Sequence, residues 1–162
     1  LAVIVSTDSL TKVSNRMHLQ TILSQSIKEH KRYERIFSIV YFQINDMQKI
    51  NTIYGFSKGD KFLKDIAQSV LKSLRDSDIV ARWGGGDFII FLPKSTVQDA
   101  DLLVKKLNGL LLKEAFLNAF NTRLSYGITQ VREEDTIYSL VERANKALLH
   151  SIHNRQIYTS FL

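Results

Sequence analysis

Ile79-Val80-Ala81-Arg82-Trp83-Gly84-Gly85-Gly86-Asp87-Phe88-Ile89-Ile90-Phe91-Leu92 is the stretch on which the fold turns. Its flanks, Ile79 to Trp83 and Phe88 to Leu92, are short apolar runs of strand-forming residues. Between them Gly84, Gly85, Gly86 and Asp87 make a link whose glycines reach positive φ without a Cβ penalty. An apolar run, a glycine-rich link and a second apolar run predict a β-hairpin.

Upstream, Phe62, Leu63, Ile66, Ala67, Val70, Leu71 and Leu74 recur on one stripe and predict a helix beginning near Ser57 or Lys58. A shorter helix is predicted over Asp46 to Tyr54, stopped by Gly55. Before it, Ile36 to Ile44 is nearly continuous in apolarity, as in a central strand covered on both faces, with Gln43 the polar exception. Near the start, Asn15 reads as an N-cap, Leu19, Ile22, Leu23 and Ile27 follow at helical spacing, and the segment ends in the charged stretch from Lys28 to Arg35. Downstream, a helix over Val97 to Leu112 faces Leu103, Val104, Leu107, Leu110 and Leu111 inward, and Arg123 to Val131 alternates as a strand. Ile137 to Ile152 reads as a last helix and Gln156 to Thr159 as an edge strand. This order predicts an α/β (α+β) palm-like fold, a mixed and mainly antiparallel sheet of about five strands with helices packed on it.

Hydrophobic residues make up 44% of the 162, and the mean hydropathy of -0.09 suits one globular domain with a real core. With one Pro and seven Gly, no linker interrupts the pattern, so residues 8–162 are expected to form a single domain and 1–7 the tail of an upstream connector. Cysteine is absent, which excludes disulfides and Cys-based zinc sites and fits a cytoplasmic location. No apolar run approaches the roughly 20 residues of a membrane helix, so no membrane contact is expected of this segment, even as the cytoplasmic part of an anchored protein. The charge of +6 suits an anionic partner. The lysines and arginines are nevertheless scattered over solvated helix faces without interleaved aromatics, which argues against a nucleic-acid groove. His150 and His153 share a helix face but have no carboxylate partner, so no metal site is expected of them.

The string Arg82-Trp83-Gly84-Gly85-Gly86-Asp87-Phe88 resembles the R-Y/W-G-G-D/E-E-F signature of the GGDEF, or diguanylate cyclase, family. Other segments agree in order. Asp8, Leu10, Thr11, Asn15 and Arg16 fit D-x-L-T-x-L-x-N-R, and Asn51 through Asp60 fits N-D-x-Y-G-H-x-x-G-D. Ser125 and Gly127 of Leu124-Ser125-Tyr126-Gly127-Ile128 resemble the later S-x-G strand, and Arg143 to Leu148 resembles R-A-D-x-A-L. In that family two domains each bring one GTP to a shared interface and condense them to cyclic-di-GMP with divalent metal between carboxylates and triphosphate.

The departures fall on the chemistry. By resemblance, the metal carboxylates belong at positions 43 and 86, where this chain has Gln43 and Gly86. A neutral amide binds magnesium far more weakly than a carboxylate, and glycine has no side chain to offer. The second Asp of the family's D-x-D stretch becomes Asn45, so Asp46 and Asp87 stand one place beyond the lost carboxylates at 45 and 86, and strand alternation is expected to turn them away. The family's phosphate-binding lysine becomes Ile152, with Arg155 beyond it in a shifted position.

The resemblance carries guanine recognition onto Asn51 and Asp60, with Gly84 and Gly85 in the nucleotide-binding turn, although Asp60 in a first helical turn would serve the helix dipole alone. It also carries a cyclic-di-GMP inhibitory-type site onto Arg75 and Asp78, set as R-x-x-D ahead of Gly84. The expectation is a degenerate GGDEF domain that binds guanine nucleotide or cyclic-di-GMP and acts in regulation and dimerisation, with no cofactor required. It is expected to be fused to an upstream sensor or a downstream phosphodiesterase domain, and a homodimer is among the assemblies implied. Two alternatives stand beside it: an active cyclase using Mg, and a scaffold that binds no nucleotide.

Overall fold

A computed structural model describes residues 6–161. Asn15 caps the first helix α1 (Arg16–Tyr33) as expected, its side chain accepting from the His18 N–H at 2.8 Å. Strand β1 (Phe37–Ile44) leads through helices α2 (Met47–Tyr54) and α3 (Phe56–Ser73) to the hairpin of β2 (Ile79–Gly84) and β3 (Asp87–Pro93). Then come α4 (Val97–Leu111), a short α5 (Ala115–Ala119), β4 (Leu124–Gln130), α6 (Ile137–His153) and β5 (Tyr158–Phe161). The strands form one sheet in the order β2-β3-β1-β4-β5, antiparallel except for the parallel β4–β5 pair.

β1 is central, and its alternation explains its continuous apolarity. Val40, Phe42 and Ile44 enter one core with α3 and α4, while Phe37, Ile39 and Tyr41 enter the other with α1 and α6. Phe42 stacks on Phe88 of β3 with centroids 5.0 Å apart. At Gly127 a Cβ would stand 2.0 Å from the Ala144 carbonyl oxygen, so α6 crosses β4 too closely for any side chain there.

Several expectations shift. α5 has no counterpart in the sequence reading, and the edge strand lies at Tyr158–Phe161, displaced from Gln156–Thr159. Leu71 and Leu110, assigned to apolar stripes, stay exposed. Ser6 and Thr7, placed in the connector, are tied to the domain: Asn15 donates its N–H to the Ser6 carbonyl at 2.9 Å, and Thr7 bridges to Ser14. The rest of that connector, residues 1–5, lies outside the described residues, as does Leu162.

Candidate functional site

The register of β1 against β3 sets Gln43 directly opposite Asp87. Cross-strand partners share a sheet face, so the two side chains meet. The Gln43 amide donates from Nε2 to Asp87 Oδ1 at 2.9 Å, and the Tyr41 hydroxyl, one pleat back on the same face, donates to Oδ2 at 2.7 Å. Burial, and then the bond to and charge of Asp87, push the Tyr41 phenol above its ordinary pKa.

The expectation that Asp87 turns away from the lost ligands is therefore corrected. Alternation separates Asp87 from Gly86 along its own strand but cannot separate it from Gln43 on the neighbouring one. A Cβ at Gly86 would face the opposite way, 3.2 Å from Met47 Cβ and 3.6 Å from Ile44 Cβ. Asp46 is exposed and left-handed at φ 60 ahead of α2, with no side-chain capping bond. Gln43, Asp46, Met47, Gly86 and Asp87 all line an open cleft of about 620 Å³ at this end of the sheet.

Beside the cleft, the signature arginine ties the hairpin to the chain's first turn. Arg82 donates from Nε to the Gly85 carbonyl at 3.0 Å and from Nη1 to Asp8 Oδ2 at 3.5 Å. Asp8 also accepts from the Thr11 N–H at 2.9 Å and the Thr11 hydroxyl at 2.7 Å. Burial works to raise the Asp8 pKa, but the Thr11 bonds and the Arg82 charge outweigh it and hold the carboxyl below its usual range. Gly85, at φ 48, and Gly84 sit exposed at the hairpin tip, where a Cβ would meet nothing within 4 Å.

Asn51 lies on α2, and its side-chain Oδ1 is buried without a hydrogen-bond partner. The reason is Gly59. A Cβ there would stand 1.9 Å from Asn51 Oδ1, so the amide rests directly on the bare backbone of α3. Asp60 follows Gly59 and is exposed. α3 begins at Phe56, so Asp60 falls beyond the first turn and the helix-dipole explanation for it fails. At the end of α6, Ile152 is 40% exposed and Arg155 follows the helix with φ 56. Neither lines the cleft beside Asp87.

Arg75 and Asp78 meet in a closed turn. Asp78 Oδ2 accepts from the Arg75 N–H at 3.0 Å and from its Nε at 3.3 Å, while Oδ1 accepts from Nη2 at 3.4 Å. The Asp78 side chain is 3% exposed and that of Arg75 is 68% exposed, so the acid is engaged within the turn and the guanidinium faces outward. Lys94 and Lys106 line the same depression, of about 350 Å³. Sequence reasoning missed Tyr41, taken only as part of an apolar run, and Met47, covered only by the predicted Asp46 to Tyr54 helix. The usable signal for Tyr41 was its i−2 position from Gln43 on one strand face.

The family profile described as "Diguanylate cyclase, GGDEF domain" matches residues 5–156. The chain belongs to the GGDEF domain family. Among curated relatives it is 30% identical over 145 residues to the diguanylate cyclase DgcP of Pseudomonas aeruginosa, covering 88% of this chain and 22% of that one. It is 28% identical over 147 residues to the bifunctional diguanylate cyclase/cyclic di-GMP phosphodiesterase MucR of the same organism, covering 89% of this chain and 22% of the relative. The GGDEF chain thus spans about a fifth of the length of these relatives. Among solved structures, the GGDEF domain of Caulobacter crescentus DgcB in complex with c-di-GMP superposes with TM-score 0.87 at 20% identity, over 99% of this chain and 98% of that one. The GGDEF-only form of YfiN (TpbB) from Pseudomonas aeruginosa gives 0.80 at 28% identity, over 95% and 91%. The fold expected from sequence is that of these GGDEF domains. No helix among the described residues is long and apolar enough to cross a membrane.

Proposed function

We propose that this GGDEF domain is catalytically silent and serves as a regulatory, guanine-nucleotide- or cyclic-di-GMP-binding and dimerisation module of a longer protein. One observation carries the reading: the signature's remaining carboxylate, Asp87, has one oxygen engaged by Gln43 and the other by Tyr41. A magnesium ion there would have to displace an amide and a phenol that both donate hydrogen bonds, and Gly86 adds no ligand. The donor set does not fit the metal that cyclases use.

What supports binding is separate from that chemistry. The Asn51 amide, with a buried acceptor lacking a partner, and the exposed Asp60 are the groups assigned to reading the base edge in this proposal. In the Arg75 turn, Asp78 holds the arginine in place rather than facing a base, so Arg75, with Lys94 and Lys106 beside it, supplies the contacts to phosphate or guanine acceptors. A downstream phosphodiesterase domain or an upstream sensor is the proposed companion, in keeping with MucR, of which a matching segment is only a part.

Incubation with GTP and magnesium or manganese, followed by chromatography, tests silence, and cyclic-di-GMP above blank would overturn it. Calorimetry with cyclic-di-GMP tests the receptor role: binding abolished by Arg75→Ala is expected, and no heat, or heat unchanged in the variant, refutes it. A melting temperature indifferent to both GTP and cyclic-di-GMP would favour the scaffold alternative.

A further inference from the structure

A second cleft, of about 610 Å³, opens between α1 and α6 over the sheet face that carries Tyr41. Its volume lies in the range of small-molecule sites, roughly 300–1,000 Å³. Tyr41 and Trp83 form the floor, and Trp83 carries the Arg16 guanidinium 4.1 Å over its ring. Tyr138, 75% exposed and hydrogen-bonded to Glu142, whose charge is matched by Lys146 at 3.4 Å, lines the cleft as well. Two primary amides, Gln20 and Asn145, also face this space, and neither makes a side-chain hydrogen bond among the described residues.

These groups specify a ligand chemistry. Aromatic walls take a flat ring, and each unengaged amide offers a donor beside an acceptor, the complement of a heterocycle edge. Arg16 meets no carboxylate among the described residues, and its Nη1 reaches only the Trp83 carbonyl at 3.4 Å, which leaves donors for an anion. We propose that the α1–α6 cleft binds a nucleobase carrying a phosphate, stacked beside Trp83 and Tyr138, read at its edge by Gln20 and Asn145, and held at its anion by Arg16. This cleft adjoins the one at Gln43 and Asp87 through the Tyr41–Asp87 hydrogen bond, but its ligand contacts come from Arg16, Gln20, Trp83, Tyr138 and Asn145, none of which lines that other cleft.

The chain has one tryptophan, so the fluorescence of Trp83 reports on the site directly. Titration with GMP and AMP is expected to give saturable quenching below about 1 mM, at least tenfold weaker with guanosine and absent with ribose 5-phosphate. Arg16→Met and Asn145→Leu, both checked for unchanged melting, are each expected to weaken nucleotide binding at least tenfold. In nitrogen-15 spectra the indole of Trp83 and the side-chain amides of Gln20 and Asn145 are expected to shift. No saturable response, equal binding of ribose 5-phosphate, undiminished binding in both variants, or shifts confined to the Asn51 amide would each overturn the proposal.

Discussion

Gln43→Glu replaces one atom group at the point where the hairpin meets the central strand, and the consequences follow from the 2.9 Å contact. The amide that donates to Asp87 becomes a carboxylate of the same shape, so a hydrogen bond to a charged group, about 1.5–3 kcal/mol, is lost. Two negative charges about 4 Å apart then repel by about 1 kcal/mol in water and about 4 kcal/mol near a protein surface. Uptake of one proton by the pair limits the total, and a net loss of about 3 kcal/mol at pH 7 is expected, a fall in melting temperature of about 6–12 °C for a chain of this size. The pair's folded-state pKa is raised, so the penalty is full above that value and disappears toward the unfolded carboxylate value near 4, where the protonated carboxyl introduced at position 43 donates as the amide did. The variant also gains the carboxylate pair that the native chain lacks, so saturating magnesium or manganese should recover about 2–3 kcal/mol at a hundredfold excess over Kd, while the native melting temperature stays put. Calorimetric melts from pH 4 to 8, with EDTA or manganese, read all of this. A variant that melts within about 2 °C of the native protein in EDTA at pH 7, with no pH dependence of the gap, would refute the Gln43–Asp87 contact as the reason for silence.

Gly86→Glu is expected to yield no cyclic-di-GMP from GTP with either metal: its Cβ meets Met47 at 3.2 Å and position 43 remains an amide, so product by chromatography would overturn the account of the metal site. Gly59→Ala drives a Cβ to 1.9 Å from Asn51 Oδ1, displacing the amide, and should abolish any melting shift with GTP at a cost of about 1–3 kcal/mol in stability. Arg143→Met leaves Asp135, whose side chain is 3% exposed, without the guanidinium bonded to it at 2.9 Å, and a loss of about 3–5 kcal/mol is expected by chemical denaturation. Burial works to raise the Asp135 pKa but the bonds from Arg143, the Arg132 N–H and Ser139 lower it below 3.8, so the native pair stabilises above that value and loses its contribution as pH falls through the depressed one. The difference between native and variant should therefore shrink below about pH 4, and a constant difference would contradict the assignment.

Most of the fold was legible because burial on two faces leaves its mark on composition. β1 reads as a continuous apolar run since Phe42 and Tyr41 serve different cores, and α6 reads as a stripe because only one face meets the sheet. α5 was not legible: Ala115–Ala119 is too short for a helical period, and its N-cap Glu114 makes no side-chain capping bond. The start of α3 was misplaced for a related reason, because Gly55 at φ 90 turns the chain with no capping side chain to announce it. The site divides in the same way. Substitutions at Gln43 and Gly86 can be read along one strand, but the meeting of Gln43 with Asp87 depends on pairing between strands, which periodicity within either one does not carry.

The contacts around the hairpin bear on why a domain would keep this architecture without metal ligands. Arg82 joins the hairpin tip to Asp8, Arg16 of α1 stacks on Trp83, and Asp87 joins β3 to β1 through Tyr41 and Gln43. These contacts tie the signature to the turn at Asp8, to α1 and, through two bonds, to β1. A hairpin freed of such ties would be the first part to open locally, since few buried apolar contacts hold its exposed tip. Gln43 meets Asp87 with a neutral donor, which keeps that carboxylate satisfied without a divalent ion. A rigid hairpin coupled to the start of the domain suits the regulatory role proposed above, in which a bound state is transmitted to neighbouring parts.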